Sequence, residues 1–344
     1  MKSLQGEQSL QEKDKMRVTD IIKEKKGKAI SVEIEPPLRG KSINEVWKTL
    51  DPLVKLGINY INITYHPKDI IKNENGDLVY QRKRPGTGRI TRAIIRKYGA
   101  RGIEPVPHII CTEFTRYGAQ KALIKFKDLG IENVMALRGD PPKLNGKFTE
   151  FKPKRGGHSH AKDLIKQISN LKLGIYLDKW GRYLEGVEGE PIDFCIGAAC
   201  YPEGYYKLQT LDENIKYTKA KADAGADYLV TQLFFDNNSY LRFVEKARKA
   251  EINVPIIPGI FPISMYNHLE KLPAVFGCSI PEKLARSIEK YIDKEDEIRK
   301  VGIEWCVEQC LDLLKNGAPS LHFFANREAP IEEIIKEIQQ PNLY

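Results

Sequence analysis

The chain has 344 residues, with 55 Lys+Arg against 46 Asp+Glu and a formal net charge of +9. An apolar fraction of 41% and a charged fraction of 29% are ordinary for a globular chain, which excludes whole-chain disorder, collagen and coiled coil. No apolar run approaches about 18 residues and the N-terminus is Lys-, Glu- and Gln-rich, so neither a transmembrane helix nor a signal peptide is predicted, and a soluble, cytoplasmic protein is expected.

Residues 1–28 mix Glu with Lys and read as a basic, polar arm or helix. Beyond them one pattern recurs, an amphipathic stretch, then Gly, then an apolar run, at Gly57, Gly130, Gly225 and Gly317. Glycine after a helix takes the left-handed conformation that closes the last turn, and a short loop then feeds a buried strand. Strands are predicted over 29–35, 60–64, 106–111, 134–137, 194–199, 228–232, 255–258 and 321–324. Helices are predicted over 43–55, 89–98, 115–129, 160–169, 212–224, 238–250, 264–271 and 301–315. Three sequences match the reciprocal capping box that starts a helix: Ser42-x-x-Glu45, Thr210-x-x-Glu213 and Ser279-x-x-Glu282.

Eight apolar strands alternating with helices predict an α/β fold, a (β/α)8 TIM barrel over 29–340, with an insertion at about 66–88. The competing doubly wound sheet requires Gly-x-Gly-x-x-Gly after its first strand. This chain instead reads Glu33-Ile-Glu-Pro-Pro-Leu-Arg-Gly40 there.

The six cysteines sit mostly in apolar stretches and read as packing residues. Cys306 and Cys310 are spaced as two ligands on one helix face but lack a His or a second Cys pair at zinc spacing, so no metal is expected. The basic stretch from Lys68 to Lys97 carries no known nucleic-acid-binding pattern, and no nucleic-acid partner is expected.

In such barrels, active-site groups come from the carboxyl ends of the strands and the loops that follow. The polar residues there are Glu33, Glu35, Thr64, Tyr65, His108, Arg138, Asp140, Tyr201, Glu203, Gln232, His322, Asn326 and Arg327. Arg138-Gly139-Asp140-Pro141-Pro142 combines a cation, a permissive glycine and a carboxylate in one stiffened turn.

Nine pieces in order, from Ser31-Val-Glu33-Ile-Glu-Pro-Pro37 through Ala136-Leu-Arg-Gly-Asp-Pro-Pro142, Thr231-Gln-Leu-Phe-Phe-Asp236 and Leu321-His-Phe-Phe324, give a chain that resembles the methylenetetrahydrofolate reductase family. That resemblance implies a barrel holding FAD, with NADH or NADPH as co-substrate. The reaction implied is reduction of 5,10-methylenetetrahydrofolate to 5-methyltetrahydrofolate, which supplies methyl groups for methionine synthesis. By resemblance, Glu33 is the acid that opens the methylene bridge, and Asp140 lies beside flavin and pterin. Thr64, Tyr65, His108, Arg138, Gly139, Asp140, Ala161, Tyr201 and Lys221 surround FAD, and Gln232 and Arg327 contact the folate or the nicotinamide. The chain ends soon after the barrel, like the single-domain bacterial form. A homo-oligomer is left open, and no membrane partner is expected.

Tyr205 and Asn214 replace a flavin-site His and Asp of the family. An alternative that suits those changes is a flavin-free folate-binding barrel or a partner subunit of a methyl-transfer complex. Two further expectations concern charge. Alternation along the first strand puts Glu33 and Glu35 on one face, where repulsion is expected to raise the pKa of at least one of them. The insertion's Arg82, Lys83, Arg84 and Arg89 are expected to meet the anionic tail of cellular folates or to stay solvated.

Overall fold

The computed structural model describes residues 16–186, 189–204, 210–325 and 329–340. Its centre is a set of parallel strands: β1 (Ile30–Ile34), β2 (Tyr60–Ile63), β3 (Glu104–Ile110), β4 (Asn133–Leu137), β5 (Cys195–Cys200), β6 (Tyr228–Thr231), β7 and β8 (Leu321–Phe324). β7 is split into Ile256–Ile257 and Gly259–Ile260 by Pro258, which has no amide hydrogen to donate. The first piece pairs with β6 and the second with β8, so the sheet returns on itself as a barrel. At this seam the Gly259 N–H donates to Thr231 Oγ1 at 2.8 Å. A Cβ on Gly259 would fall 2.3 Å from the Thr231 carbonyl oxygen, so only glycine lets the strands meet. The α/β barrel predicted from the strand pattern is the fold observed.

Strand alternation sorts the core into two parts. Val32, Ile34, Ile61 and Ile63 face outward and pack against the helices. Tyr60, Val106, Met135, Tyr228 and Val230 face inward and fill the lower barrel. Helix Val18–Lys25 plugs that end with buried Val18, Ile21 and Ile22. Its entry is fixed by Asn133, whose Oδ1 accepts from Val18 N at 2.8 Å and whose Nδ2 donates to the Met16 carbonyl at 3.0 Å. The remainder of the expected arm, residues 1–15, lies outside the described residues.

Helices Asn44–Lys55, Thr87–Tyr98, Arg116–Asp128, Ala161–Lys172, Leu211–Asp223 and Asn237–Lys249 follow the first six strands, all close to their predicted bounds. After β7 the pattern departs from expectation. The helix expected over 264–271 runs His268–Phe276, the one expected over 301–315 runs Glu295–Lys315, and Glu282–Glu289 intervenes. The helix covering β8 is Ile331–Ile338, whose Ile331, Ile334, Ile335 and Ile338 are all buried, and the sequence reading placed none there. Of the three capping boxes, Thr210 with Glu213 is reciprocal. Ser42 instead accepts from Asn44 N two residues on, and the helix after Ser279 begins behind Pro281.

The segment after β2 forms a hairpin, Asp69–Lys72 with Leu78–Gln81, turned by Asn73, whose Oδ1 accepts from Asn75 N and Asp77 N. Through Ile70 and Leu144 it joins a second hairpin, Lys143–Leu144 with Lys147–Phe148, in the loop after β4. Two loops from neighbouring parts of the rim thus become one small sheet beside the barrel mouth. The six cysteines are buried and free. Among the described residues, no helix is long and apolar enough to cross a membrane.

Candidate active site

The carboxyl ends of the strands enclose a cavity of about 940 Å³. Glu33, Thr64, Tyr65, His108, Arg138, Gly139, Asp140, Ala161, Tyr201, Lys221 and Gln232 all line it, so residues spread over 200 positions meet at one place. Arg327, Tyr205 and Asn326 lie outside the described residues. Asn214 is on the wall, with its Nδ2 donating to the Thr210 carbonyl at 3.0 Å. Glu203 is drawn into structural bonds instead, accepting from Ser239 Oγ and from Ser279 N.

The floor is built on β1 and its neighbours. Register places Ser31 beside His322 of β8, and Glu33 beside Asn62 of β2. Glu33 Oε2 lies 3.5 Å from His108 Nε2 and 3.9 Å from His322 Nε2, with the Glu33 side chain 23% exposed. Ser31 Oγ is 2.8 Å from His322 Nδ1. Burial acts to raise the Glu33 pKa, but a hydrogen bond from His322 and the charges of His108, His322 and His66 outweigh it, so the value is lowered. Burial pushes His108 down to about 4, against the pull of Glu33, so this imidazole is neutral at pH 7.

The expected repulsion between Glu33 and Glu35 is therefore absent. β1 ends at Ile34, so alternation does not reach Glu35, whose carboxylate turns to Arg84 at 2.5 Å and His66 at 3.5 Å on the rim. The other insertion cations are engaged similarly. Arg82 pairs with buried Glu113 and donates to Tyr65 OH at 2.8 Å, and Lys83 pairs with Asp69 at 2.7 Å. Of the four cations expected to meet a folate tail or stay solvated, Arg82 and Arg84 thus tie the insertion to the barrel, and Lys83 pairs within the insertion.

On another wall β4 ends in the turn Arg138-Gly139-Asp140. Gly139 has φ +79°, and a Cβ there would fall 2.5 Å from Thr112 Oγ1 and 2.8 Å from Ile110 Cβ. Glycine lets this turn lie flat on the end of β3, where Thr112 N donates to the Arg138 carbonyl at 3.2 Å. The Arg138 guanidinium stands over the Phe151 ring at 4.7 Å. Burial raises the Asp140 carboxyl above its ordinary value, against the opposing charges of Lys143, Arg138 and His66.

Lys221 reaches inward from helix Leu211–Asp223, donates to the Ala199 carbonyl at 2.7 Å and stands over the Tyr201 ring at 5.4 Å. Burial lowers its pKa to about 8. Gln232 follows β6, with its Oε1 accepting from Leu233 N at 2.9 Å.

Sequence reasoning missed several wall residues. Lys143 and Phe148 come from the hairpin after β4, and Phe261, Val275 and Phe276 from the segment after β7. Asn62 is fully buried inside the barrel, and neither of its amide atoms has a hydrogen-bond partner among the described residues. A polar residue at an inward position of a buried strand was the available signal, but Asn62 stands two residues before the strand end that was searched.

Comparison with known proteins gives a consistent result. The chain is 28% identical to the 5,10-methylenetetrahydrofolate reductase of Salmonella typhimurium, over 89% of this chain and 88% of that protein. It is 31% identical to methylenetetrahydrofolate reductase (NADH) 1 of Arabidopsis thaliana, over 90% of this chain and 48% of that protein. With methylenetetrahydrofolate reductase 1 of Schizosaccharomyces pombe the identity is 33%, over 69% of this chain and 36% of that protein. The chain thus spans about half, or less, of these eukaryotic relatives. A Clostridium thermocellum protein described as binding two copies of 5-methyl-5,6,7,8-tetrahydrofolic acid shares the fold, at a TM-score of 0.52 and 15% identity, over 93% of this chain and 97% of that one. The family model for methylenetetrahydrofolate reductase matches residues 17–339. That match runs from the helix plugging the barrel to the helix covering β8, and the chain therefore belongs to the methylenetetrahydrofolate reductase family.

Proposed function

We propose that this chain reduces 5,10-methylenetetrahydrofolate to 5-methyltetrahydrofolate, with FAD bound in the cavity and NADH or NADPH as electron source. The observation that carries the reading is the placement of Glu33 on the floor and Asp140 on the wall of one cavity, in a chain of this family.

The residues present fit a flavin dinucleotide. The cavity lies near the upper end of the roughly 300–1,000 Å³ range of small-molecule sites. Its lining combines apolar groups with the cations Arg138, Lys143 and Lys221, and planar rings and phosphates need both. The flat Gly139 turn brings backbone to the wall without a side chain in the way. Thr64, Tyr65, His108, Arg138, Gly139, Asp140, Ala161, Tyr201 and Lys221 would hold the cofactor. Bound FAD supplies hydride chemistry, taking electrons from the nicotinamide and giving them to the methylene carbon.

The remaining work falls to side chains. A methylene bridge between two nitrogens does not accept hydride until one nitrogen is protonated and an iminium carbon forms. Glu33 gives the proton to that nitrogen, and the Asp140 carboxylate on the cavity wall stabilises the resulting cation. Gln232, and Arg327 by family resemblance, orient the folate. Steady-state assay tests the reading: NADH oxidation that depends on methylenetetrahydrofolate, with 5-methyltetrahydrofolate as product, is expected. An FAD-loaded protein that leaves the folate unchanged would refute it.

Lys221 provides a pH-dependent check on cofactor placement. Its ammonium is charged below about pH 8 and loses its proton above that value. If it faces a phosphate, bound FAD holds the proton on. Linkage then predicts FAD binding weaker at pH 9 than at pH 7 by up to about tenfold. Lys221→Gln is expected to remove most of this dependence, as read by quenching of flavin fluorescence across pH.

A further inference from the structure

The floor of the cavity poses a problem for an acid that works near neutral pH, because the Glu33 carboxyl is lowered rather than raised. Its surroundings supply an answer. Ser31 Oγ lies 3.4 Å from the Leu321 carbonyl oxygen and 2.8 Å from His322 Nδ1. With the Ser31 hydroxyl proton on that carbonyl oxygen, Ser31 Oγ accepts from the His322 Nδ1–H, and this tautomer leaves Nε2 to face Glu33. His322 Nε2 lies 3.9 Å from Glu33 Oε2, the atom with which it would exchange a proton. Such distances are commonly long in the absence of substrate and tighten when it binds.

We propose that His322 is a positioning residue that shares one proton with Glu33, and that Ser31 sets the ring so that this proton is available to the folate nitrogen. The inference rests on the folate-reducing function proposed above. The register of β1 on β8 places Ser31 and His322 side by side, and the Phe324 ring meets the imidazole edge-on at 5.1 Å, which holds its plane. His108, the other imidazole beside Glu33, is kept neutral by burial.

The remaining titratable groups around the pair are few. Tyr60 of β2 hydrogen-bonds Ser31 from below. His66, past the end of β2, acts on Glu33 and itself meets Thr64 Oγ1 at 2.9 Å and Glu35 at 3.5 Å, with the charge of Arg84 opposing its protonation and those of Glu35 and Asp140 favouring it. In the step, the C–N bonding electrons return to the folate nitrogen, which takes the proton from the pair. The pair is left as a carboxylate and a neutral imidazole, and a solvent proton restores it before the next turnover.

The test is stopped-flow oxidation of the FAD-loaded, prereduced protein by methylenetetrahydrofolate across pH. The wild-type rate is expected to fall as pH rises through the loss of the shared proton. A carboxyl–imidazole pair keeps its last proton to higher pH than a carboxyl alone. His322→Gln is therefore expected to slow this half-reaction by about tenfold or more and to move its declining limb down by roughly one pH unit or more. Ser31→Ala is expected to move the limb in the same direction by less, and Ser31→Thr to restore it. Flavin content and flavin reduction by NADH report whether each variant is assembled, and Ser31→Ala carries the test if His322→Gln does not fold. Limbs unmoved from wild type in both variants would overturn the proposal. A wild-type protein that accepts electrons from NADH but never passes them to the folate would overturn the function reading instead.

Discussion

Glu33→Gln is expected to leave flavin reduction by NADH close to wild type while slowing reduction of methylenetetrahydrofolate by about 10²- to 10⁴-fold, the usual contribution of a positioned general acid. The two side chains have nearly the same shape, and the amide can still hydrogen-bond toward His108 and His322, so the floor of the cavity is kept. What it loses is a proton that can be given up. Electron transfer from the nicotinamide needs no such proton, so the two half-reactions separate the acid role from a general disturbance of the site. Equal slowing of both would assign Glu33 to packing or cofactor binding. Retention of the wild-type rate with the folate would remove it from the mechanism.

Arg82→Met is expected to destabilise the fold by about 3–5 kcal/mol, because removing one partner of a buried ion pair leaves the other charge uncompensated. The Glu113 side chain is 7% exposed and that of Arg82 18%, so water can do little to rescue the orphaned carboxylate. The same substitution frees Tyr65, which loses the donor to its hydroxyl and the guanidinium over its ring. Because Tyr65 lines the cavity, FAD affinity is expected to fall together with stability. Urea unfolding of Arg82→Met, Glu113→Leu and the double variant measures the coupling. The double variant is expected to recover most of the loss, since two apolar groups replace the pair without an unpaired charge. A single-variant loss below about 1 kcal/mol would place the pair among weak surface bridges.

The barrel was legible because its strands are short apolar runs, four of which follow a glycine that closes a helix, at Gly57, Gly130, Gly225 and Gly317. These are local signals, and the eight strands came out of them within about two residues. Helices Glu282–Glu289 and Ile331–Ile338 were missed because eight residues are too few for a period of 3.6 to stand out, although buried Ile331, Ile334, Ile335 and Ile338 have that spacing. The small sheet beside the mouth was missed for another reason. Its strands Lys143–Leu144 and Lys147–Phe148 are two residues long, and their pairing with the insertion is non-local.

The same division holds at the site. The cavity-lining residues were found through strand ends and family motifs, but their electrostatics depend on partners distant in sequence. Arg82 reaches Glu113 across 31 positions, Arg84 reaches Glu35 across 49, and Ser31 meets His322 across 291. Nothing in the local sequence marks Arg82 as a buried cation rather than a solvated one. Alternation along β1 predicted the inward face at Ser31 and Glu33 but was carried one step too far, to Glu35, where the strand has already ended.

The central claim, a cavity that passes electrons from nicotinamide through FAD to a folate, is tested most directly by one anaerobic absorbance experiment on the purified protein supplied with FAD. Bound flavin is expected to give a yellow protein whose visible band is bleached by NADH or NADPH and restored by methylenetetrahydrofolate, with 5-methyltetrahydrofolate formed in equal amount. A protein that stays colourless with excess FAD yet binds 5-methyltetrahydrofolate, or whose bleached flavin is not restored by the folate, would contradict it.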